Sequence, residues 1–148
     1  MREILFRAKR VDNGEWAEGY LFDDGMAEVE HYFVGRIVVE PYKGTACDDW
    51  DITGIDFCEV NPETLCQYTG LKDKNGDRIW ENDIVCFIDM TSTDSGYCEH
   101  NCMGQVVWND EEACFCVTDR LSSESWEVLQ DCYIVGNIFD DPELLKGE

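Results

Sequence analysis

The residues most able to do chemistry are five cysteine and histidine side chains in the second half of the sequence. Thiolate and imidazole groups are the usual ligands of tetrahedral zinc. The five side chains could converge on one ion if the strands expected at 104–108 and 113–118 form a hairpin. They are Cys98, His100, Cys102, Cys114 and Cys116.

The spacing of these residues leaves a second interpretation open. Neither cysteine pair has the two-residue separation of a zinc finger, and Cys114 and Cys116 would face the same side of a strand, as core residues do. Free thiols, with no metal and no cofactor, are therefore the default prediction. The pair Cys98 and His100 has no evident group to orient it for catalysis. We predict no catalytic residues and no enzymatic activity.

Two acidic segments match calcium-binding loops in part. Asp73, Asn75 and Asp77 fit the first three ligand positions, but Arg78 replaces the turn glycine and Ile84 replaces the final glutamate. The second segment contains the carboxylates Asp48, Asp49, Asp51 and Asp56. It also lacks a glutamate at its twelfth loop position, and neither segment has flanking helices, so the sequence does not predict an EF-hand. Weak cation binding by the carboxylates of the second segment stays open.

The chain is strongly acidic. Its 148 residues include 11 basic and 33 acidic ones, which give a formal net charge of −22. Residues 1–80 carry −8 (9 basic, 17 acidic) and residues 81–148 carry −14 (2 basic, 16 acidic). This charge argues against nucleic-acid and anionic-membrane partners and favours a basic protein partner, if there is one. The only basic cluster is N-terminal and consists of Arg2, Arg7, Lys9 and Arg10.

The compartment can be predicted from cysteine usage and hydropathy. Nine cysteines are an odd number, and several lie in strand-like apolar segments, so we expect reduced thiols rather than a disulfide scaffold. No segment has the roughly eighteen consecutive apolar residues that cross a bilayer, and the start of the chain lacks a secretory apolar region. We therefore expect a cytoplasmic protein.

Short β-rich segments separated by turn residues must position these side chains. Asn13-Gly14 and Asn75-Gly76 are typical of hairpin turns. No stretch has a helical period, so we expect mainly β structure with irregular loops at 41–54 and 91–103. Pro142 predicts a short C-terminal helix. Strands are expected at 4–11, 15–22, 37–40, 54–60, 84–90, 104–108, 113–118 and 132–139.

Three blocks of the sequence carry a family resemblance. They are REILFRA (2–8) with GEW (14–16) and EGY (18–20); VNPET (60–64) with QYTGLKDKNG (67–76) and IWENDIV (79–85); and YIVGNIFDDPELL (133–145). Together these blocks closely resemble the YopX family of phage and prophage proteins. The segments 42–51 and 91–103 match no family pattern.

The resemblance implies a β-rich fold with an SH3-like β-barrel in the C-terminal part, but no activity. We expect an N-terminal β-hairpin region at 1–60 and the barrel at 61–148, packed as one compact unit. The favoured function is that of a non-enzymatic phage or prophage accessory protein that acts through protein–protein contacts in the host cytoplasm. The alternatives are an acidic DNA mimic that binds a basic host protein, and a zinc-binding factor. Exposed strand edges and the apolar terminal residues Leu144 and Leu145 permit self-association, so the formation of a homo-oligomer stays open.

Overall fold

The computed structural model describes residues 1–41, 50–118 and 127–146, and their regular structure is almost entirely antiparallel β-sheet. The chain divides into two compact units. One is Ile4–Cys66, and the other combines Met1–Glu3 with Gln67–Glu148. The strands are β1 (Phe6–Lys9), β2 (Trp16–Asp23), β3 (Tyr32–Pro41), β4 (Trp50–Val60), β5 (Cys66–Lys72), β6 (Arg78–Trp80), β7 (Asp83–Thr93), β8 (Gly96–Asn109), β9 (Cys114–Thr118) and β10 (Tyr133–Asn137).

Helical structure in the described residues is limited to single 3-10 turns. They lie at Pro62–Thr64, Glu127–Gln130 and Pro142–Leu145. In the first, the Asn61 side chain accepts a hydrogen bond from the Glu63 amide and Pro62 supplies a fixed φ. Within the described residues, no helix is long and apolar enough to cross a membrane.

In the first unit, β1 to β4 form an antiparallel meander in which each strand pairs with the next. The β1–β2 hairpin turns where Asn13-Gly14 predicted it, with Gly14 at a φ of +72°. Ala8, Val34 and Val60 form the buried core. The removal of these apolar side chains from water is the main stabilising contribution available to a unit of this size.

In the second unit, four strands form an open antiparallel sheet in the order β10-β7-β8-β9, and β5 pairs with β6. The buried core of this unit includes Ile79, Val85, Val106 and Leu129, which are almost completely buried. The expected closed barrel is not observed in the described residues. The sheet stays open there because β10 pairs with β7 and β9 pairs with β8, on opposite sides of the central β7–β8 hairpin, and β9 and β10 do not pair with each other.

The prediction of irregular loops at 41–54 and 91–103 is wrong wherever the structure describes these residues. β4 already begins at Trp50, and β7 and β8 continue to a tight turn before Gly96, which has a φ of +125°. Aspartates and glycines suggested loops locally, but continuous cross-strand pairing outweighs such preferences. Residues 42–49 lie outside the described residues. The expected C-terminal helix is a single 3-10 turn.

The Asp73 side chain organises the turn between β5 and β6. Its Oδ1 accepts hydrogen bonds from the amides of Asn75 and Asp77, both at 2.9 Å, and its Oδ2 accepts one from Ile134 at 3.1 Å. The carboxylate is 8% exposed. Since it is already satisfied by three amides, Asp73 has a structural role, in agreement with the rejection of an EF-hand here.

We predict that Asp73→Ala lowers the free energy of unfolding by about 2–4 kcal/mol, because three amide donors lose their shared acceptor. Urea denaturation followed by circular dichroism measures the change. Asp110→Ala, in an exposed turn position, serves as the control and should be close to neutral. Equal stability of the two variants would contradict this role for Asp73.

Candidate binding surface

The five residues of the hypothetical zinc site do not all converge. The β8–β9 hairpin forms as expected, but its register places Cys116 opposite Val107 and Cys114 opposite Asn109. Cys102 lies five positions before Val107 on β8, a separation of about 17 Å along a strand. The side chains of Cys98 and His100 lie outside the described part of the structure. Among the side chains that are described, no group of three His, Cys, Asp or Glu residues is arranged to hold a metal.

We predict that zinc and chelators leave the thermal unfolding midpoint of the reduced protein unchanged, because Cys102 is too distant from the β9 cysteines for shared ligation. Differential scanning calorimetry with equimolar zinc, and separately with a chelator, measures the effect. Stoichiometric zinc in the purified protein, lost together with stability on chelation, would contradict the register.

The cysteines behave as small apolar side chains in the described part of the structure. None of the seven cysteines whose side chains are described forms a disulfide bond, and Cys66, Cys116 and Cys132 are buried. Burial raises the pKa of the Cys132 thiol to about 11, so it is protonated and unreactive near neutral pH.

The N-terminal basic cluster does not present a set of free cations. Arg10 forms an ion pair with Asp12, whose carboxylate lies 2.6 Å from the guanidinium. Arg7 lies 4.6 Å from the Trp16 ring centroid, and Lys9 lies 5.4 Å from it. These contacts are cation–π interactions on the β1–β2 hairpin. Arg7, Lys9 and Arg10 therefore each contact another side chain of this hairpin.

The most unusual surface of the first unit is the outer part of the β3–β4 hairpin. β2 pairs only with the first four residues of β3, from Tyr32 to Gly35, whereas β4 pairs with β3 along its whole length. Residues 36–41 and 50–56 thus form a two-stranded extension, here called the β3–β4 ribbon. It has no third strand among the described residues.

Large apolar side chains of the β3–β4 ribbon are exposed to water. Ile37 and Ile55 lie directly opposite each other in the register and are 49% and 67% exposed. Val38 and Val39 are 42% and 51% exposed. Consecutive branched residues are typical of strands covered on both faces. A cluster of such side chains in water is a frequent mark of an interaction surface.

A close approach of two strands marks the base of the β3–β4 ribbon. A Cβ at Gly35 would overlap the Asp56 carbonyl oxygen and the Phe57 ring, so only glycine permits this close strand approach. At the other end of the β3–β4 pairing, away from the ribbon, the His31 imidazole forms an ion pair with the Glu59 carboxylate. A hydrogen bond to Glu59, together with its charge, raises the pKa of His31 above the ordinary value of 6.5.

We predict that an NMR titration of His31 gives a pKa above its ordinary value and that Glu59→Gln removes the increase. Because the pKa is raised in the folded state, the ion pair stabilises the fold below the unfolded pKa, and this contribution is lost as pH rises through the folded pKa. An unchanged His31 titration in Glu59→Gln would contradict the ion pair.

Acidic residues flank the apolar centre of the β3–β4 ribbon. Glu40 is exposed, Asp51 occupies the register position opposite Glu40, and Asp56 is exposed further along β4. Like charges at opposite positions are unfavourable in a sheet. Within the β3–β4 ribbon as defined, three acidic residues, Glu40, Asp51 and Asp56, stand against one basic residue, Arg36, which lies opposite Asp56 in the register.

These features define a small, mainly β protein with long hairpins that extend beyond their sheets. The profile of the YopX protein family matches residues 5–146, and the chain belongs to that family. The crystal structure of protein EF1440 from Enterococcus faecalis is similar in fold, with a TM-score of 0.56 and 23% sequence identity over 98% of this chain and 99% of that one. A comparison with curated proteins finds no match.

Sequence reasoning missed the β3–β4 ribbon as a candidate surface. It predicted strands at 37–40 and 54–60, but placed a loop at 41–54, where β4 begins, and did not pair Ile37 with Ile55. The run of branched residues from 37 to 39 was the available signal. Such a run predicts burial, and only the structure shows that these side chains are exposed in the single chain.

Proposed function

We propose that the protein is a phage or prophage accessory protein that acts, without catalysing a reaction, by binding a basic protein of the host cytoplasm through the β3–β4 ribbon. The supporting observation is the cross-strand pair Ile37 and Ile55, which are 49% and 67% exposed, with the exposed Val39 nearby on β3. Interfaces of this kind place apolar side chains at the centre and charged ones at the rim.

Charge selects between two possible partners for the β3–β4 ribbon. A second copy of the chain would bring another −22 charges and a second acidic rim to the same place, which is unfavourable. A basic protein surface would instead pair its lysines and arginines with Glu40 and Asp56 while covering the apolar centre. We therefore favour a basic partner over a homodimer.

The alternatives considered from the sequence have no such support. A zinc-binding factor would need converging ligands, and the β8–β9 register places Cys102 far from Cys114 and Cys116. A DNA mimic would present carboxylates in place of an apolar centre. The described ribbon has branched apolar side chains at its centre, which suits contact with a folded protein surface better than imitation of phosphates.

We predict that Ile37→Thr/Ile55→Thr weakens capture of a basic host protein by roughly tenfold or more, because central apolar contacts dominate binding energy. A photoreactive amino acid at position 39 identifies the captured protein by mass spectrometry. Threonine keeps the β-branched shape at both positions, and circular dichroism checks that the fold is retained.

Val11→Thr is the matched control, since Val11 is 56% exposed and lies in the same unit outside the β3–β4 ribbon. It should capture the partner as well as the wild type, and salt should weaken the capture in both. Equal capture by the ribbon variant would contradict the proposal. So would a cross-link that joins two copies of the chain.

A further inference from the structure

The second unit contains a pocket whose described lining is mainly apolar. Its volume is about 270 Å³, and Leu71, Trp108, Phe115 and Leu129 supply most of its apolar surface. Among the described residues of the lining, Arg2 is the one basic residue and none carries a carboxylate. In a chain with 33 acidic residues, a pocket with this charge is notable. Its volume suits a single ring or branched side chain rather than a larger ligand.

Two aromatic rings form one wall of the pocket. Trp108 on β8 and Phe115 on β9 lie directly opposite each other in the register, and their ring centroids are 5.0 Å apart at an interplanar angle of 71°. Phe115 is 8% exposed and therefore fixed, whereas Trp108 is 42% exposed. An apolar group that enters the pocket can therefore pack against the indole and cover it from water.

Gly70 provides the space in which Arg2 lies. A Cβ at Gly70 would lie 3.3 Å from both Cγ and Cδ of Arg2, so the arginine stem rests across the bare backbone of β5. Gly70 also has a φ of +88°, which disfavours other residues. Arg2 forms no ion pair with an acidic residue in the described parts of the chain. Its charge is therefore available to a ligand.

The other polar groups of the lining are already engaged or weak. The Thr69 hydroxyl donates a hydrogen bond to the Ile79 carbonyl at 2.8 Å and accepts one from the Leu71 amide at 3.2 Å. Cys114 offers only a thiol, which is a weak hydrogen-bonding group. The charged recognition of a ligand therefore depends on the Arg2 guanidinium, whose fork of donors matches a carboxylate.

We propose that this pocket binds an aromatic or branched apolar group that carries a carboxylate. The apolar group packs against Trp108 and Phe115, and the carboxylate pairs with Arg2. A free aromatic carboxylic acid and the C-terminal residue of a polypeptide share this chemistry. The site lies apart in sequence from the β3–β4 ribbon and does not depend on the function proposed for it.

A nearby carboxylate provides a second electrostatic test. The Oε2 of Glu112 lies 3.9 Å from the Cys114 Sγ, just outside the lining. It opposes an anionic ligand and favours a neutral or cationic one. Loss of the Glu112 charge should therefore strengthen carboxylate binding by roughly twofold, while loss of the Arg2 charge weakens it.

The experiment titrates the whole chain with 3-phenylpropionate and with its neutral amide, and follows the indole N–H signal of Trp108 by NMR. We expect the acid to shift this signal and to bind roughly tenfold more tightly than the amide. Arg2→Gln should abolish that preference, Glu112→Gln should increase it, and Lys146→Gln, an equal charge change at an exposed position, should leave it unchanged.

A second arm distinguishes the two sources of the ligand. The peptide Gly-Gly-Phe is compared with its C-terminal amide, and tighter binding of the free peptide than of 3-phenylpropionate indicates a polypeptide C-terminus. Weaker binding of the peptide indicates a small acid. The proposal is overturned if neither probe shifts the Trp108 signal at millimolar concentration, or if acid and amide bind equally to the wild type. Because Ile37→Thr/Ile55→Thr leaves the pocket intact, a failure of either proposal can be told from a failure of the other.

Discussion

Antiparallel pairing between strands of unequal length is the constraint on which the rest of this structure depends. β3 extends past the end of its β2 pairing while β4 follows it throughout. β7 and β8 likewise extend as a pair beyond the segments where β10 and β9 join them. In each extension the two strands pair with each other, and the outward-facing backbone groups of both strands are left to water or to a further strand. Two-stranded ribbons are weak alone and depend on the sheet at their base.

The strong negative charge gains a physical role beside these ribbons. An apolar two-stranded extension with a free edge invites pairing with a second copy, and charged residues are a common protection against such pairing. Glu40 and Asp56 lie at such positions on the β3–β4 ribbon. The same charges that oppose self-association attract a basic surface, so one feature can serve both solubility and partner choice.

Local patterns predicted the turns but not the extent of the strands. Gly14 and Gly76 lie at positive φ where Asn-Gly pairs predicted tight turns. The starts of β4 and β8 could not be predicted, because cross-strand pairing overrides local turn preferences. The exposure of Ile37 and the approach of Arg2 to Gly70 depend on tertiary structure and leave no local signal.

The exposed pair Ile37 and Ile55 is the central claim, and methyl NMR with a soluble paramagnetic agent tests it most directly. In the protein alone, the methyl groups of Ile37, Val39 and Ile55 should be strongly relaxed, in contrast to the buried Val34 and Val60. Addition of the captured basic partner should protect the first group and leave the second unchanged. Methyl groups of Ile37 and Ile55 that are shielded in the protein alone, or that stay exposed in the complex, would contradict the account.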